Sequence, residues 1–486
     1  MSSLLEKAFD PATFRQNAHQ LVDVLADHLQ ANLHQQNDAV IPWTNPEQAL
    51  AFWQEDYRQS QESNPQDYFQ QVLQQSINLH HPKYLGHQIS PSAPIAAVSG
   101  LLADLLNNGM GVYEMGIGAT AIERLIIKEV GRHFGYDEEA GGFLTSGGTL
   151  ANLTALLAAR IHQAKEAIWE EGTQQQLAIM VSEEAHYCVD RAVRIMGWGK
   201  KGMIKVPANE RFQMDCSALE GALHEAREAG IEVIAVVGSA CSTSTGSYDD
   251  LESLAQFCQQ HQLWFHVDAA HGGAAIFSKQ HQALLKGIEQ ADSIVMDFHK
   301  MLLCPALATG LFFRKESHSY QTFAQRAQYL WDQASTQEWH NLAKRTFECT
   351  KYMMGVKIYS IFRTHGTQLF EDFVDRLYGL GQQFAQLIQA RPHFELAVDP
   401  ECNIVCFRLI PPDFPVEALN TLNKNIRQTL IETQRFYIVQ TQLKGQVYLR
   451  TTIMNPFTTE KILQSLLDEI EHIEKHVLVE QKSSES

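Results

Sequence analysis

Positive charge is scarce in this sequence: 38 Lys and Arg residues stand against 56 Asp and Glu residues, a formal net charge of −18 at pH 7. A nucleic-acid-binding surface needs a basic face, so this balance argues against a nucleic-acid partner and favours a protein that handles small molecules. The acidity does not fix the charge of the substrate, because a local cationic pocket can still hold an anion.

Paired cysteines, a secretory signal and long apolar runs are also missing. The eight cysteines form no CxxC pair and no Cys/His metal spacing, so we expect reduced thiols and no metal site. The first residues, MSSLLEKAFDPATF, lack a basic region followed by an apolar run. No stretch approaches the roughly 18 consecutive apolar residues that a membrane-spanning helix needs. We therefore expect a soluble, cytoplasmic protein without a membrane partner.

The composition is otherwise that of a large globular chain, with 45% apolar and 19% charged residues among 486. Helical spacing of apolar residues dominates residues 1–95, which we predict to be an N-terminal helical segment. Short β-rich runs then alternate with helical segments over residues 96–355, which predicts a large α/β domain with a mostly parallel sheet. Residues 356–486 contain a long helix and further strands, and they predict a small C-terminal α+β domain.

Charged residues stand at the ends of two apolar runs. The run LWFHVD ends at Asp268, and the run SIVMDF is followed by His299 and Lys300. Open parallel sheets bind ligands at the carboxyl ends of their strands, so Asp268 and Lys300 could face one ligand. A lysine in such a site can act as an amine nucleophile, and pyridoxal phosphate needs such a lysine together with an acid for its ring nitrogen. A buried salt bridge is the alternative interpretation.

A Gly-Gly turn and a histidine lie at two further places where ligand groups are common. TSGGT (145–149) precedes an apolar helix and offers N–H groups and a hydroxyl to a phosphate, although most such turns bind nothing. It matches neither GxGxxG nor a Walker pattern, so a dinucleotide or nucleoside triphosphate has no support. His186 follows the run that ends at Ser182, where it either lies on a cofactor ring or serves as a core or capping residue.

In combination, these segments resemble the group II pyridoxal-phosphate-dependent amino-acid decarboxylases. The likeness covers residues 75–460 and consists, in order, of HPKYLGHQ (81–88), TSGGTLANLTALLAAR (145–160), SEEAHYCVDRA (182–192), STSTGSYDDL (242–251), HVDAAHGGA (266–274), ADSIVMDFHK (291–300) and LRTTIMNP (449–456). The 32-residue step from Asp268 to Lys300 is the one that this family shows. The resemblance implies an α/β fold of the PLP-dependent transferase type (aspartate aminotransferase-like, fold type I), a homodimer, and decarboxylation of an L-amino acid to an amine and CO2.

The resemblance also implies roles for residues around the cofactor, pyridoxal 5'-phosphate. Lys300 would hold it as a Schiff base, Asp268 would pair with its ring nitrogen, and His186 would stack on the ring. The other cofactor-binding residues that it implies are Ala270 against the ring, Thr243 near the histidine, and Gly148, Thr149 and His299 at the phosphate.

For the substrate, the resemblance assigns Arg450 to a carboxylate, which a guanidinium binds in bidentate geometry. The alternative is a surface strand arginine. His87 and Gln88 match residues that line the family's side-chain pocket, and polar residues there argue against a purely aromatic substrate. His87 and DFHK favour a diamino acid such as 2,4-diaminobutyrate, whereas VYEM (112–115) favours an acidic substrate such as glutamate or cysteine sulfinate. An aromatic amino acid is the third alternative.

The sequence departs from the family at three places. Asp297 and Phe298 replace the usual Asn-Pro before His-Lys, and an acid beside a phosphate must point away or meet a donor. His271 follows HVDAA, where many members have Tyr or Trp. The family's mobile loop carries a tyrosine that protonates Cα; residues 332–346 contain none, and His340 is our candidate donor. Without a donor, reaction with oxygen would give an aldehyde, so an aldehyde-forming decarboxylase or another fold type I enzyme stays an alternative.

Overall fold

The computed structural model describes residues 3–59, 64–164, 168–323 and 338–484. The chain divides into two compact units. The first comprises Met1–His87, Gln386–Ala397 and Cys406–Ser486, and the second comprises Gln88–Ala385 and Val398–Val405. The three-part division expected from the sequence, with boundaries near residues 95 and 355, stays a prediction. Within the described residues, no helix has both the length and the apolar character needed to cross a membrane.

The strands form two sheets. In chain order, the strands of the described residues are β1 (Gly141–Thr145), β2 (Leu177–Ser182), β3 (Met203–Val206), β4 (Glu232–Ser239), β5 (Trp264–Asp268), β6 (Ser293–Asp297), β7 (Thr309–Phe313), β8 (Phe394–Leu396), β9 (Ile404–Leu409), β10 (Val439–Leu443) and β11 (Gln446–Thr452). The α-helices are α1 (Ser3–Ala8), α2 (Pro11–Leu33), α3 (Pro46–Gln59), α4 (Pro65–Gln74), α5 (Pro94–Leu106), α6 (Ile117–His133), α7 (Gly148–Gln163), α8 (Ile168–Glu171), α9 (Tyr187–Ile195), α10 (Leu219–Glu228), α11 (Leu251–His261), α12 (Phe298–Met301), α13 (Ser317–Tyr320), α14 (Met354–His365), α15 (Gln368–Gln389), α16 (Leu419–Glu432) and α17 (Glu460–Ser484).

A seven-stranded sheet forms the centre of the second unit. Its strand order is β1-β7-β6-β5-β4-β2-β3. Strands β3, β2, β4, β5 and β6 pair in parallel, and β7 pairs antiparallel with both β6 and β1. This mixed but mostly parallel sheet with its helices confirms the predicted α/β fold of type I.

The sequence explains why this sheet is central. Strands β5 and β6 are buried at every residue, as expected of apolar strands covered on both faces. Helix α7 packs against β1, β4, β5, β6 and β7. Small side chains allow this close approach, and its fully buried alanines are Ala151, Ala155, Ala158 and Ala159. The packing of α7 fixes its first residue, Gly148, near the carboxyl ends of the central strands.

The first unit joins the N-terminal helices to a four-stranded sheet of order β10-β11-β9-β8. Helix α2 begins with a side-chain cap: the Asp10 side chain accepts a hydrogen bond from the Thr13 backbone N–H at 2.8 Å, and proline occupies the first helical position. Helix α16 packs on β11 and against α17. The N-terminal helical segment and the C-terminal sheet therefore belong to one compact unit although they are distant in sequence.

Candidate active site

A cavity of about 280 Å³ lies in the second unit where three neighbouring strands end. The last residues of β4, β5 and β6, which are Ser239, Asp268 and Asp297, all line it. Its other lining residues are Ser146, Gly147, Gly148, Thr149, Asn152, His186, Cys188, Cys241, Ser242, Thr243, Ala270, His271, His299, Lys300 and Leu307. The structure thus brings together all eight residues that the sequence assigned to the cofactor.

Lys300 reaches this cavity from the short helix α12. Its Nζ atom lies 3.0 Å from Asp297 Oδ2. Burial acts to lower the pKa of Lys300, but the carboxylates of Asp297 and Asp268 outweigh burial and raise it. In the absence of a ligand, the lysine is therefore held as an ammonium ion.

Asp268 is fixed by a chain of polar side chains that crosses the sheet. Its Oδ2 atom accepts a hydrogen bond from Asn152 Nδ2 at 3.2 Å, and its Oδ1 atom accepts one from the Ala270 backbone N–H at 3.2 Å. Asn152 Oδ1 lies 2.8 Å from His266 Nε2, and His266 Nδ1 lies 2.8 Å from Ser293 Oγ. Burial lowers the pKa of His266 to about 4, so this histidine is neutral at physiological pH and donates from Nε2 to Asn152. The chain therefore holds the carboxylate of Asp268 in one orientation.

The start of helix α7 provides a glycine-lined wall of the cavity. Gly147 precedes the helix with φ +121°, a conformation that favours glycine. A Cβ atom built on Gly148 would lie 3.3 Å from Asp297 Oδ1, so backbone and carboxylate approach closely here. The first turn of a helix has N–H groups without intrahelical acceptors, which suit a phosphate.

Asp297, the residue that departs from the family pattern, meets donors and does not point away. Thr309 Oγ1 donates a hydrogen bond to Asp297 Oδ1, and His299 Nε2 lies 3.7 Å from Oδ2. Burial acts to raise the pKa of Asp297, but Lys300 and His299 outweigh burial and lower it. The carboxylate is therefore compensated inside the cavity wall.

His186 serves as a capping residue, which is one of the two alternatives that the sequence left open. It is the N-cap residue of α9, where its Nδ1 atom accepts a hydrogen bond from the Cys188 backbone N–H at 3.3 Å. It also lines the cavity. Burial lowers the pKa of His186, and Asp268 opposes this in part. The cap locks the ring orientation, which suits a flat contact with a planar ligand.

The remaining predicted residues lie elsewhere. His340 is not among the described residues that line the cavity. Its ring centre lies 5.4 Å from that of Tyr113. His87 and Arg450 belong to the first unit. There, burial lowers the pKa of His87, and the guanidinium groups of Arg450 and Arg427 lower it further. Gln88 opens the second unit, and its Nε2 atom is buried with no hydrogen-bond partner among the described residues.

Sequence reasoning missed Asn152 and His266. Both lie inside motifs of the resemblance, TSGGTLANLT and HVDAA, but nothing in either segment alone shows that the two side chains meet. Asn152 Nδ2 also donates to the Gly148 carbonyl oxygen at 2.9 Å, one helical turn away. The available signal was Asn152 itself, a polar residue one helical turn after the Gly-Gly start of an otherwise apolar helix.

These residues fit pyridoxal phosphate. The cavity contains an amine for the aldehyde, an oriented carboxylate for the ring nitrogen, and a glycine-lined helix start with a threonine hydroxyl for the phosphate. The shape and donor set therefore define a pyridoxal-phosphate enzyme of fold type I.

Comparison with known proteins narrows this class. Residues 46–410 match the pyridoxal-dependent decarboxylase conserved domain, and the chain belongs to this family. It is accordingly an amino-acid decarboxylase that uses pyridoxal phosphate. The predicted family, cofactor and enzyme class are confirmed.

The relatives differ in substrate. The chain is 29% identical to an L-2,4-diaminobutyrate decarboxylase of Acinetobacter baumannii, over 82% of this chain and 81% of that one. It is 29% identical to an aspartate 1-decarboxylase of Aliivibrio fischeri, over 82% and 80% of the two chains. It is 28% identical to an aromatic-L-amino-acid decarboxylase of Bacillus atrophaeus, over 82% of each. Among solved structures, mouse CSAD shares the fold with a TM-score of 0.88 at 24% identity, covering 95% of this chain and 98% of that one.

Proposed function

We propose that this enzyme removes the α-carboxylate of an L-amino acid with a polar side chain and releases the amine and CO2. The observation that carries the proposal is the pairing of Lys300 with the oriented carboxylate of Asp268 around one cavity. The leading substrate class is a diamino acid such as 2,4-diaminobutyrate, which His87 and the DFHK segment favour. The 2,4-diaminobutyrate decarboxylase relative supports this class.

An acidic substrate is the second candidate, which the VYEM segment (112–115) favours and to which two guanidinium groups near His87 add positive charge. Arg450 is buried on β11. Burial is the main cause of the lowered pKa of His87, and Arg450 and Arg427 both lower it further. One arginine is needed for the α-carboxylate of any amino acid. A second arginine near the substrate side chain would attract a side-chain carboxylate and repel a side-chain ammonium group. The aspartate 1-decarboxylase relative supports this candidate, and the aromatic relative keeps the third alternative open.

A substrate panel combined with Arg427→Gln separates these candidates. The panel contains 2,4-diaminobutyrate, aspartate, glutamate, cysteine sulfinate and aromatic amino acids, with CO2 and amine both quantified. If the substrate is acidic, Arg427→Gln should raise KM at least about tenfold at similar kcat, the loss of one charge-assisted contact. If it is a diamino acid, the same variant should leave KM unchanged or lower it.

Several cavity residues have a defined part in the proposed reaction. When bound, pyridoxal phosphate supplies the electron sink for the electrons that CO2 leaves behind. Lys300 would offer the amine for its aldehyde carbon, and this amine must first lose the proton that Asp297 Oδ2, 3.0 Å from Nζ, stabilises on it. Asp268 would keep a proton on the ring nitrogen, and Asn152 holds that carboxylate in place. Ala270 would pack against one face of the ring, and His186 would stack on the other.

The remaining cofactor contacts concern the phosphate and its surroundings. Gly148, Thr149 and His299 would hold the phosphate, and Thr243 would sit near His186, since all of them line the same cavity. Arg450 would bind the substrate carboxylate, with His87 and Gln88 near the side chain. These roles are proposals drawn from the family resemblance together with the placement of the residues.

Lys300→Ala tests the central assignment. We expect this variant to form no covalent adduct with pyridoxal phosphate after borohydride reduction, as measured by intact mass. Lys279→Ala is the matched control, because Lys279 is an exposed lysine that pairs only with Glu371 among the described groups within ion-pair distance. An adduct that persists in Lys300→Ala contradicts the assignment. Hydrogen peroxide and aldehyde, in place of stoichiometric amine, would indicate the aldehyde-forming alternative.

We also propose a homodimer, because helix α5 presents an apolar face that nothing in the described chain covers. Its large exposed apolar side chains are Val98, Leu101, Leu102, Leu105 and Leu106. Monomeric proteins rarely expose contiguous patches of this kind. Tyr113, which contacts His340, is exposed as well. A second copy would cover such a face, and His340 would then serve the cavity of that copy.

Mixed dimers test this arrangement. Neither Lys300→Ala nor His340→Phe should be fully active alone, but a mixed dimer would contain one site with both residues intact if His340 acts across the interface. Recovery of amine formation on mixing supports the proposal, and no recovery indicates that His340 acts within its own chain or not at all. Light scattering of Leu102→Glu/Leu105→Glu should show a monomer.

All eight cysteines are free thiols, as in a reducing compartment, and we propose a cytoplasmic location.

A further inference from the structure

Three buried side chains that the proposed reaction does not use meet at one wall of the cavity. Cys241 follows strand β4, His271 follows strand β5, and Cys402 comes from the segment Val398–Val405. All three side chains are buried. One imidazole nitrogen and the two sulfur atoms lie within 4.8 Å of one another. Cys241 and His271 also line the cavity.

The distance between the two sulfur atoms suits a shared metal ion. Cys241 Sγ and Cys402 Sγ are 3.8 Å apart. A tetrahedral zinc ion with Zn–S bonds of about 2.3 Å separates its two sulfur ligands by about 3.8 Å. A disulfide would need the same atoms at about 2.05 Å. The two sulfur atoms are therefore already spaced for zinc, and one imidazole nitrogen lies within 4.8 Å of both.

The orientation of His271 also suits a ligand. Its Nε2 atom lies 2.8 Å from Asn403 Oδ1. When Nε2–H donates to that oxygen, Nδ1 carries the lone pair that a metal needs. Metal-binding histidines commonly donate their other ring N–H to an oxygen acceptor in this way, which fixes both tautomer and ring orientation. Two thiolates and one imidazole form a ligand set that favours zinc over magnesium or calcium.

We propose that Cys241, Cys402 and His271 form a zinc-binding site in which a water molecule on the cavity side takes the fourth position. Three protein ligands with one open position are the usual arrangement of zinc sites that keep an exchangeable ligand. No local sequence motif reveals the site, because Cys241 and Cys402 are 161 positions apart. His271, which replaces the family's Tyr or Trp, supplies the nitrogen ligand.

Zinc and cobalt binding to the reduced, metal-stripped holoenzyme tests the proposal. Equilibrium dialysis in micromolar zinc chloride should leave one zinc ion per chain. Cobalt chloride should give a difference spectrum, against the same holoenzyme, with thiolate-to-cobalt charge transfer and the intense visible bands of a tetrahedral site. A cobalt spectrum without thiolate charge transfer, or the absence of bound zinc, overturns the proposal without reference to any variant.

Substitutions then assign the ligands. Cys241→Ser, Cys402→Ser and His271→Gln should each weaken zinc binding at least about 100-fold, and Asn403→Leu, which removes the orienting oxygen, about 10- to 100-fold. Cys258→Ser is the control, since Cys258 is equally buried on α11, and its zinc affinity should stay within about threefold of the wild type. Zinc binding that is unchanged in all three ligand variants shows that the metal sits elsewhere and refutes the site.

Discussion

Asp297→Asn should make Lys300 a faster nucleophile in the cofactor-free protein. Asp297 Oδ2 and Lys300 Nζ are 3.0 Å apart inside the cavity wall. At an effective dielectric constant of about 20, unit charges at this separation attract each other by roughly 5 kcal/mol. Asp297 therefore favours the ammonium form, and its removal lowers the pKa of Lys300, so the population of neutral amine at pH 7 rises. If only about a quarter of that energy is expressed, the population of neutral amine still rises about tenfold.

Reductive methylation measures this change directly. Formaldehyde is neutral, so its local concentration does not depend on the charge of Asp297, and mass spectrometry of the Lys300 peptide gives the labelling rate. We expect Lys300 to react at least about tenfold faster in Asp297→Asn at pH 7, and the difference to vanish at high pH, where both proteins have a neutral amine. Other lysine peptides serve as internal references.

Asp190→Asn is the matched control for charge. It removes one carboxylate from an ion pair with Arg194 at 2.7 Å on the surface, and Lys300 should label at the wild-type rate. Equal Lys300 labelling in Asp297→Asn and wild type at pH 7, or slower labelling in the variant, would show that Asp297 does not hold the ammonium form.

Three further substitutions test other parts of the structure. Asp268→Asn should lower turnover about 100-fold or more, measured as CO2 release, because the ring nitrogen loses its acid partner; near-normal turnover would remove Asp268 from the reaction. His340→Phe should lower the yield of amine per CO2 more than it changes KM, and unchanged turnover would exclude His340 as the proton donor. Lys351→Met should destabilise the fold by about 3–5 kcal/mol in urea unfolding, because it leaves Glu123 buried and unpaired; Lys351→Met/Glu123→Leu should recover part of this loss, and no recovery would contradict the explanation.

The ends of two central strands could be predicted from the sequence, since Asp268 and Lys300 stand at or just after the ends of apolar runs. Asp268 is the last residue of β5, and Lys300 comes three residues after the end of β6. The local sequence pattern is sufficient to place such residues, because a charged residue directly after a buried apolar run marks the end of the strand. The sequence also predicted the mostly parallel sheet from the alternation of strands and helices.

Pairing across the sheet could not be predicted in the same way. Strand β7 lies between β6 and β1 and runs antiparallel to both, and this register places Thr309 opposite Asp297. The donor that compensates Asp297 therefore depends on strand order, which no local pattern encodes. The contact between Asn152 and His266 has the same origin, because it joins residues that are 114 positions apart.

The neutral state of His266 has a consequence for how the enzyme responds to acidity. Because burial lowers the pKa of His266 to about 4, its tautomer does not change across the range in which most enzymes work. The hydrogen bonds through which His266 and Asn152 hold Asp268 therefore do not change with ordinary variation in cellular pH. Rate losses on mild acidification should therefore arise in groups other than His266.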